Sequence, residues 1–191
     1  MKVTWLSALA LLTLAGCGMG GNTNNTNTNT GTTTTTPAAP AVSAEDEARR
    51  VTDPVGKFSY IPPKNWEYSS SPGLKFKISR GTPTGNFAPN IVIIDEAYAG
   101  DLDSYLAVNE RGVLKMLPKC VVKGKGDFTT NEGLAGKYLI TENEQSNFQL
   151  RQSFYIFPKG GMMYILTTSC LAKDGDKMAP MFEWSTKTFK F

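Results

Sequence analysis

Histidine is absent from all 191 residues of the sequence. This absence excludes Ser-His-Asp and Cys-His catalytic arrangements, and it excludes zinc sites of the HExxH type. It also removes the side chain that most often acts as a general base at neutral pH. No paired set of carboxylates or lysines is placed to take over that role. We therefore expect a protein that is not an enzyme and that holds no cofactor or metal.

An excess of one charge and long apolar runs are lacking as well. The 20 Lys and Arg residues against 17 Asp and Glu give a net charge of +3, too small to indicate a nucleic-acid partner. The apolar stretch at residues 5–14 would span only ~15 Å as a helix, about half the hydrocarbon thickness of a bilayer. We expect no transmembrane helix there. The composition, 40% hydrophobic, is otherwise that of a globular protein.

The N-terminus has the features of a bacterial signal peptide over residues 1–16. Lys2 provides the positive start and residues 5–14 the apolar segment. The following Leu14-Ala15-Gly16-Cys17 resembles the lipobox of bacterial lipoproteins. In that family the cysteine thiol receives a diacylglycerol with chains such as palmitate, and the signal is cut before it. The resemblance implies lipidation at Cys17 and an extracytoplasmic protein anchored to the cell membrane or outer membrane; an ordinary signal peptide is the alternative.

Residues 17–50 are predicted to be a disordered linker behind this anchor. Residues 22–36 consist of Asn, Thr and one Gly, and a Pro-Ala-Ala-Pro segment follows. No large apolar side chain is available to offset the entropy of ordering. As a flexible coil the linker would hold the domain ~30 Å from the bilayer on average. Its last part, residues 43–50, is either frayed linker or a short helix with Ser43 as N-cap.

The remaining residues, 51–191, have the pattern of one folded domain. Alternating or continuous apolar runs predict strands at residues 57–61, 74–78, 91–94, 133–141, 148–157 and 162–168. Helical spacing predicts helices over residues 104–117 and 176–186, and a short strand at 188–191 closes the chain. Hairpins with interspersed helices are typical of the α+β class.

The order of these elements resembles the PsbP-like superfamily. The resemblance rests on soft motifs in residues 51–191: Phe58, Tyr60, Ile61, Pro62 and Trp66, then Asn90-Ile91-Val92, then Asp101-Leu102 with Ser104-Tyr105-Leu106, and later Gly160-Gly161, Tyr164-Ile165-Leu166-Thr167, Phe182 and Ser185. It implies an α/β/α sandwich around an antiparallel sheet of about six strands. Members include the photosystem II extrinsic protein and DcrB-like envelope lipoproteins, and their common theme is docking onto another protein. Metal sites in some members use histidine, which this chain lacks.

Two cysteines, Cys120 and Cys170, remain after lipidation of Cys17. An even number in an exported protein predicts a disulfide between them. Two separate buried thiols are the alternative, and redox chemistry is a third, although the chain has no CxxC motif.

Four carboxylates lie close together in the sequence, at Asp95, Glu96, Asp101 and Asp103. Asp101 and Asp103 are explained as helix caps. A hard-cation site and a general acid/base pair are the alternatives, but the spacing of a calcium loop is missing.

A basic cluster is formed by Lys115, Lys119, Lys123 and Lys125, with no acidic residue between them. It is typical of a solvated helix end followed by an edge strand. It is also compatible with a surface for anionic lipid or an acidic partner, and on that hypothesis Lys123 and Lys125 contact the partner.

Aromatic side chains are the other candidates for a contact surface. Trp66 is expected in the core, whereas Phe87 is expected at the tip of an exposed loop over residues 81–89. We therefore predict Phe87 as a further partner contact.

Taken together, these observations predict a lipid-anchored accessory or scaffold protein that binds a membrane or envelope protein complex. The alternative is a binding protein for a small apolar or acyl ligand held between sheet and helix. Five methionines favour that alternative because their side chains adapt to a ligand: Met116, Met162, Met163, Met178 and Met181.

Overall fold

The structure, a computed structural model, describes residues 42–191. The predicted signal peptide, Cys17 and most of the predicted linker lie outside these residues. Along the described chain the elements are α1 (Ala44–Glu47), β1 (Val51–Asp53), β2 (Phe58–Tyr60), β3 (Glu67–Ser69), β4 (Ile78–Arg80), β5 (Asn90–Ala97), α2 (Leu102–Met116), β6 (Val121–Thr129), β7 (Ala135–Gln145), β8 (Phe148–Lys159), β9 (Met162–Leu171) and α3 (Gly175–Lys187). A 3-10 turn, Ala172–Asp174, leads from β9 into α3.

Seven strands form one antiparallel sheet in the order β3-β4-β5-β9-β8-β7-β6, and β1 and β2 form a separate hairpin. The three long strands β7, β8 and β9 are consecutive in the chain and in the sheet because tight turns join them. Glycines 160 and 161, both at positive φ, make the β8–β9 turn at the predicted hairpin. This arrangement confirms the predicted α+β class with an antiparallel sheet, which has seven strands rather than about six.

The sheet is covered on both faces because its long strands place apolar side chains alternately on each side. On the α2 face, Tyr105 and Val113 of α2 pack against β7, β8 and β9 side chains such as Leu139, Phe154 and Ile165. On the α3 face, Phe182 of α3 joins a cluster that includes residues of β2, β5, β8 and β9. The chain is thus a sandwich with helices on opposite faces of the sheet.

Residues 42–50, predicted as the end of the disordered linker, instead contain a short helix and contact this domain. Ser43 caps α1 through a reciprocal capping box with Asp46. The guanidinium of Arg49 donates to the carbonyl of Pro62 at 2.7 Å, and that of Arg50 donates to the carbonyl of Thr188 at 2.9 Å. The two arginines therefore bind the end of the linker to the domain near its C-terminus.

Two predicted strands are shorter than the sequence pattern suggested. The strand expected at residues 74–78 begins only at Ile78. The strand expected at residues 188–191 is reduced to one bridge, in which Ser59 and Lys190 exchange backbone hydrogen bonds of 2.7 and 2.9 Å. Alternation over so few residues does not distinguish a strand from an extended loop.

Candidate functional site

The loop over residues 81–89 does not present Phe87 as a free contact. Phe87 is only 7% exposed, and its ring centroid lies 5.5 Å from that of Phe148 at the β7–β8 turn. A backbone bridge between Thr84 and Phe87 folds the loop tip back on itself. The prediction of an exposed tip is wrong, because the aromatic side chain packs on a second aromatic residue that is distant in the sequence.

The basic cluster is placed around the connection from α2 to β6, and three of its lysines have acidic partners from other strands or from α2. The ammonium of Lys119 lies 2.6 Å from Glu144, that of Lys123 lies 3.4 Å from Glu142, and that of Lys125 lies 2.8 Å from Glu110. The local sequence does not reveal these carboxylates because none of them lies between the lysines. Because carboxylates from distant segments pair with these lysines, the net positive charge of the cluster is smaller than its sequence suggests.

The same connection carries most of the exposed large apolar side chains. Within residues 42–191, four such side chains are exposed, and three of them are Leu114, Met116 and Val121. They lie within eight residues of chain at the end of α2 and the start of β6. We call the segment 114–125, with its lysines, the α2–β6 corner. Exposed apolar side chains that are grouped together and rimmed by polar residues are one mark of a surface that binds a partner.

Strand β6 forms one edge of the sheet. Eight of its nine residues pair with β7, and Lys123 is left out of the ladder by a bulge between Val122 and Gly124. Gly124 and Gly126 lie beside the ring of Tyr138 on β7, and a Cβ added at Gly126 would lie 3.1 Å from that ring. The two glycines thus make room for the Tyr138 ring. This packing accounts for their presence, so a phosphate-binding loop is not needed to explain them.

Cys120 and Cys170 are unbonded in the structure, so the predicted disulfide is not formed. Cys120 packs in the cluster of the α2 face and Cys170 in that of the α3 face. Cys170 lies in β9, and Cys120 immediately precedes β6. Strands β8 and β7 lie between β9 and β6, which separates the two strands by ~14 Å, whereas a disulfide allows at most ~7 Å between Cα atoms. Burial raises the pKa of the Cys170 thiol to about 11 and also raises the pKa of Cys120. Both thiols are protonated at neutral pH, which disfavours redox chemistry.

The four neighbouring carboxylates make separate contacts instead of a shared site. Asp101 caps α2 by accepting from the amide of Ser104 at 2.7 Å. Asp95 pairs with Lys75 at 2.5 Å, and Asp103 pairs with Lys137 at 2.7 Å. Across residues 42–191, no group of three or more acidic or cysteine side chains is placed to hold a metal ion.

Glu96, the fourth carboxylate, lies against the N-terminal part of α2. It accepts a hydrogen bond from the hydroxyl of Tyr105, a fully buried residue. Partial burial raises the pKa of Glu96, although this hydrogen bond opposes the rise. Burial likewise raises the pKa of Tyr105, so its hydroxyl remains a donor at neutral pH. One turn further along α2, the side-chain amide of Asn109 is buried.

A polar network under the same face was not predicted from the sequence. The Gln145 side-chain amide donates to Asn143 at 3.0 Å and to Gln152 at 2.8 Å, and Asn143 donates to Gln152 at 3.0 Å. Gln152 donates to Ser169 at 3.2 Å, which links β7, β8 and β9. Because Asn143, Gln152 and Ser169 are almost fully buried, these bonds satisfy groups that would otherwise destabilise the sheet. In the sequence, these polar residues alternate with apolar ones as solvent-facing residues of a strand do. Only the pairing of the strands shows that they are buried and bonded to one another.

The methionines do not gather around one space. Met163 belongs to the cluster of the α2 face and Met178 packs against that of the α3 face, whereas Met116 is exposed. These methionines therefore do not line one common pocket, as the ligand-carrier alternative would require. Trp66 packs edge-to-face on Phe182 with ring centroids 5.8 Å apart, so it contributes to the core of the α3 face.

None of the helices in residues 42–191 is both long enough and apolar enough to cross a bilayer.

Comparison with protein-family models gives no match, and comparison with curated proteins gives none either. Solved structures do resemble the chain. LpqN of Mycobacterium tuberculosis, described as involved in cell envelope biogenesis, aligns with a TM-score of 0.54 and 17% identity over 70% of this chain and 82% of LpqN. The cyanobacterial PsbP protein of Synechocystis sp. PCC 6803 aligns with a TM-score of 0.52 and 11% identity over 74% of this chain and 90% of that protein. At these identities the likeness shows the fold, which is PsbP-like as the sequence motifs implied.

Proposed function

We propose that this protein is a lipid-anchored accessory protein of a bacterial cell envelope, which acts by binding another protein and has no catalytic activity. The anchor is the predicted lipidation of Cys17, and the predicted linker gives the domain freedom to reach a partner near the membrane. The fold shared with LpqN, an envelope-biogenesis protein, supports this setting.

The observation that carries the proposal is the α2–β6 corner. Three of the four large apolar side chains exposed within residues 42–191 are concentrated there. Single exposed apolar side chains are common on monomeric proteins, but several within one short segment are favoured where a partner buries them. Lys123 and Lys125 border the corner, so we propose them as partner contacts beside Leu114 and Val121. The partner surface would be apolar with acidic residues at its rim.

The test is crosslinking of the epitope-tagged protein in its native membrane, followed by mass spectrometry of the captured proteins. We expect one dominant envelope protein. Leu114→Asp should abolish its capture, because a carboxylate would be buried in an apolar contact. Val55→Asp is the matched control: Val55 is the fourth exposed apolar side chain and lies away from the corner in the β1–β2 turn.

Two results would contradict the proposal. Equal loss of capture by Leu114→Asp and Val55→Asp would remove the corner as the contact surface. Capture of no protein, with a small molecule of reproducible mass retained by the native domain, would instead favour the ligand carrier.

A further inference from the structure

Strand β6 offers an unusually long free edge for pairing with another strand. It has nine residues, whereas β3, at the opposite edge of the sheet, has three. Within residues 42–191, β7 is the one strand that pairs with β6. The outer backbone groups of an edge strand are a template for a further strand, and proteins usually protect such an edge. The bulge between Val122 and Gly124 protects the start of β6, which leaves residues 124–129 in regular register.

The side chains of this regular part alternate in charge on one face. Lys125 and Asp127 both lie on the α2 face, since Lys125 pairs with Glu110 of α2 and Asp127 shares Lys137 with Asp103 of α2. Both remain accessible, with side chains 51% and 84% exposed. Gly124 and Gly126 occupy the opposite face and present no side chain to an approaching strand.

We propose that β6 pairs antiparallel with β6 of a second copy of this chain, about a twofold axis at Gly126. In this register Lys125 lies opposite the partner's Asp127, and Asp127 lies opposite the partner's Lys125. Cross-strand pairs of opposite charge stabilise an antiparallel pairing, and the twofold symmetry forms each pair twice. Lys123 lies in the bulge and outside this register, so no like charges face each other within residues 124–129. The two sheets become one continuous sheet.

The neighbouring registers are unfavourable. A twofold axis at Lys125 would place two lysines together, an axis at Gly124 would set Lys125 against the bulge at Lys123, and an axis at Asp127 would place two carboxylates together. A shift by one residue between the strands would put side chains of one strand on the wrong face. The charge pattern of β6 thus selects the register at Gly126.

The test is sedimentation velocity of the mature chain carrying Cys17→Ala, so that no acyl chain drives association. We expect a concentration-dependent dimer at up to about 1 mM, since a short strand pair forms a weak interface. Lys125→Glu and Asp127→Lys should each weaken the dimer about tenfold or more, because each places like charges together twice. Lys173→Glu, an exposed lysine on the 3-10 turn, is the matched control and should leave the dimer unchanged.

The decisive sample is an equimolar mixture of the Lys125→Glu and Asp127→Lys variants. In the mixed dimer the two introduced side chains face each other with opposite charge, and the unchanged Asp127 of one chain faces the unchanged Lys125 of the other. Association should therefore return to that of the parent. Return of association also shows that both variants are folded. A parent that stays monomeric over the whole range, single variants that dimerise like the parent, or a mixture that stays monomeric would each overturn the proposal.

Discussion

At the scale of single residues, the ionisation of Glu96 is linked to the stability of the fold. Its carboxylate is partly buried beside α2, and that burial raises its pKa above the usual value of 4.5. The folded chain therefore favours the protonated form. The stability that protonated Glu96 contributes is fully present below its pKa in the unfolded chain. It is lost as the pH rises through its pKa in the folded chain.

This linkage predicts the behaviour of Glu96→Gln. The amide still accepts the hydrogen bond from Tyr105 but cannot ionise, so the variant should gain stability relative to the parent as the pH rises from about 4 to 7. The measurement is the free energy of unfolding from urea titrations across that range. Tyr105→Phe removes the hydroxyl that stabilises the carboxylate, so its stability should fall more steeply with pH than that of the parent. Parallel curves for all three proteins would contradict the assignment.

The two thiols show how the place of a residue in the sheet decides its chemistry. Cys120 and Cys170 satisfy the arithmetic of a disulfide in an exported protein. Cys170 lies in β9 and Cys120 immediately precedes β6, with β8 and β7 between these two strands, and the cysteines lie on opposite faces of the sheet. Each thiol therefore packs as a small apolar side chain.

At the scale of secondary-structure elements, the loop over residues 81–89 acts as a cover for one end of the sheet. Phe87 connects it to Phe148 at the tip of the β7–β8 hairpin. The amide of Gly81 also donates to the carbonyl of Pro89 at 2.8 Å, which closes the base of the loop. The loop is thus part of the core at this end of the molecule.

Phe87→Ala should accordingly destabilise the domain by about 3 kcal/mol, the low end for removal of a buried phenylalanine ring. The check is chemical denaturation of the purified domain. Val55→Ala, at a position 62% exposed, is the control and should change stability by no more than about 0.5 kcal/mol. Equal effects of the two substitutions would mean that the Phe87 ring contributes nothing to the core.

The edge strand β6 connects the element scale to function. Its lysines pair with Glu110 and Glu142 of neighbouring elements, but their side chains stay 46% and 51% exposed, so they remain accessible to a partner. What remains for a partner is the backbone edge, the alternation of Lys125 with Asp127, and the apolar residues of the α2–β6 corner. The apolar residues Leu114 and Met116 lie on α2, outside the strand that the dimer would use, so a dimer would still expose them to a second protein.

At the scale of the whole molecule, the chain combines a predicted membrane anchor with a folded sandwich. The described domain begins with α1, whose following arginines bind carbonyls of Pro62 and Thr188. These two hydrogen bonds join the start of the described domain to the segments around Pro62 and Thr188.

The anchor itself leads to a direct prediction. In the native host, the parent protein should fractionate with the membrane and enter the detergent phase, because two or more acyl chains bind a bilayer stably. Cys17→Ala should move to the soluble extracytoplasmic fraction, or remain unprocessed with its signal peptide attached. Thr13→Ala, in the apolar segment of the signal, serves as the control that keeps the lipobox intact. A Cys17→Ala protein that fractionates with lipid as the parent does, after removal of its signal, would disprove lipidation at Cys17.

Much of the fold could be predicted from the sequence because the relevant information is local. The long strands β5, β7, β8 and β9 carry apolar alternation or continuous apolar runs, and α2 carries a cap at Asp101 and helical spacing. Short strands such as β3 have too few residues for a periodicity, so they appear only in the assembled sheet. The PsbP-like motifs indicated the order of elements, which the sandwich confirms.

The features of the candidate site likewise fall into those that the sequence indicates and those that only the tertiary structure shows. The sequence by itself determined the lack of histidine chemistry and the α+β pattern, and it predicted the lipid anchor and the linker, because each depends on residue type or on neighbours in the chain. Only the tertiary structure decided that Phe87 is buried, that Cys120 and Cys170 stay apart, and that β6 is a free edge with its lysines paired. These properties depend on which strands become neighbours, and contacts between distant segments are made by the whole sheet and not by any local pattern.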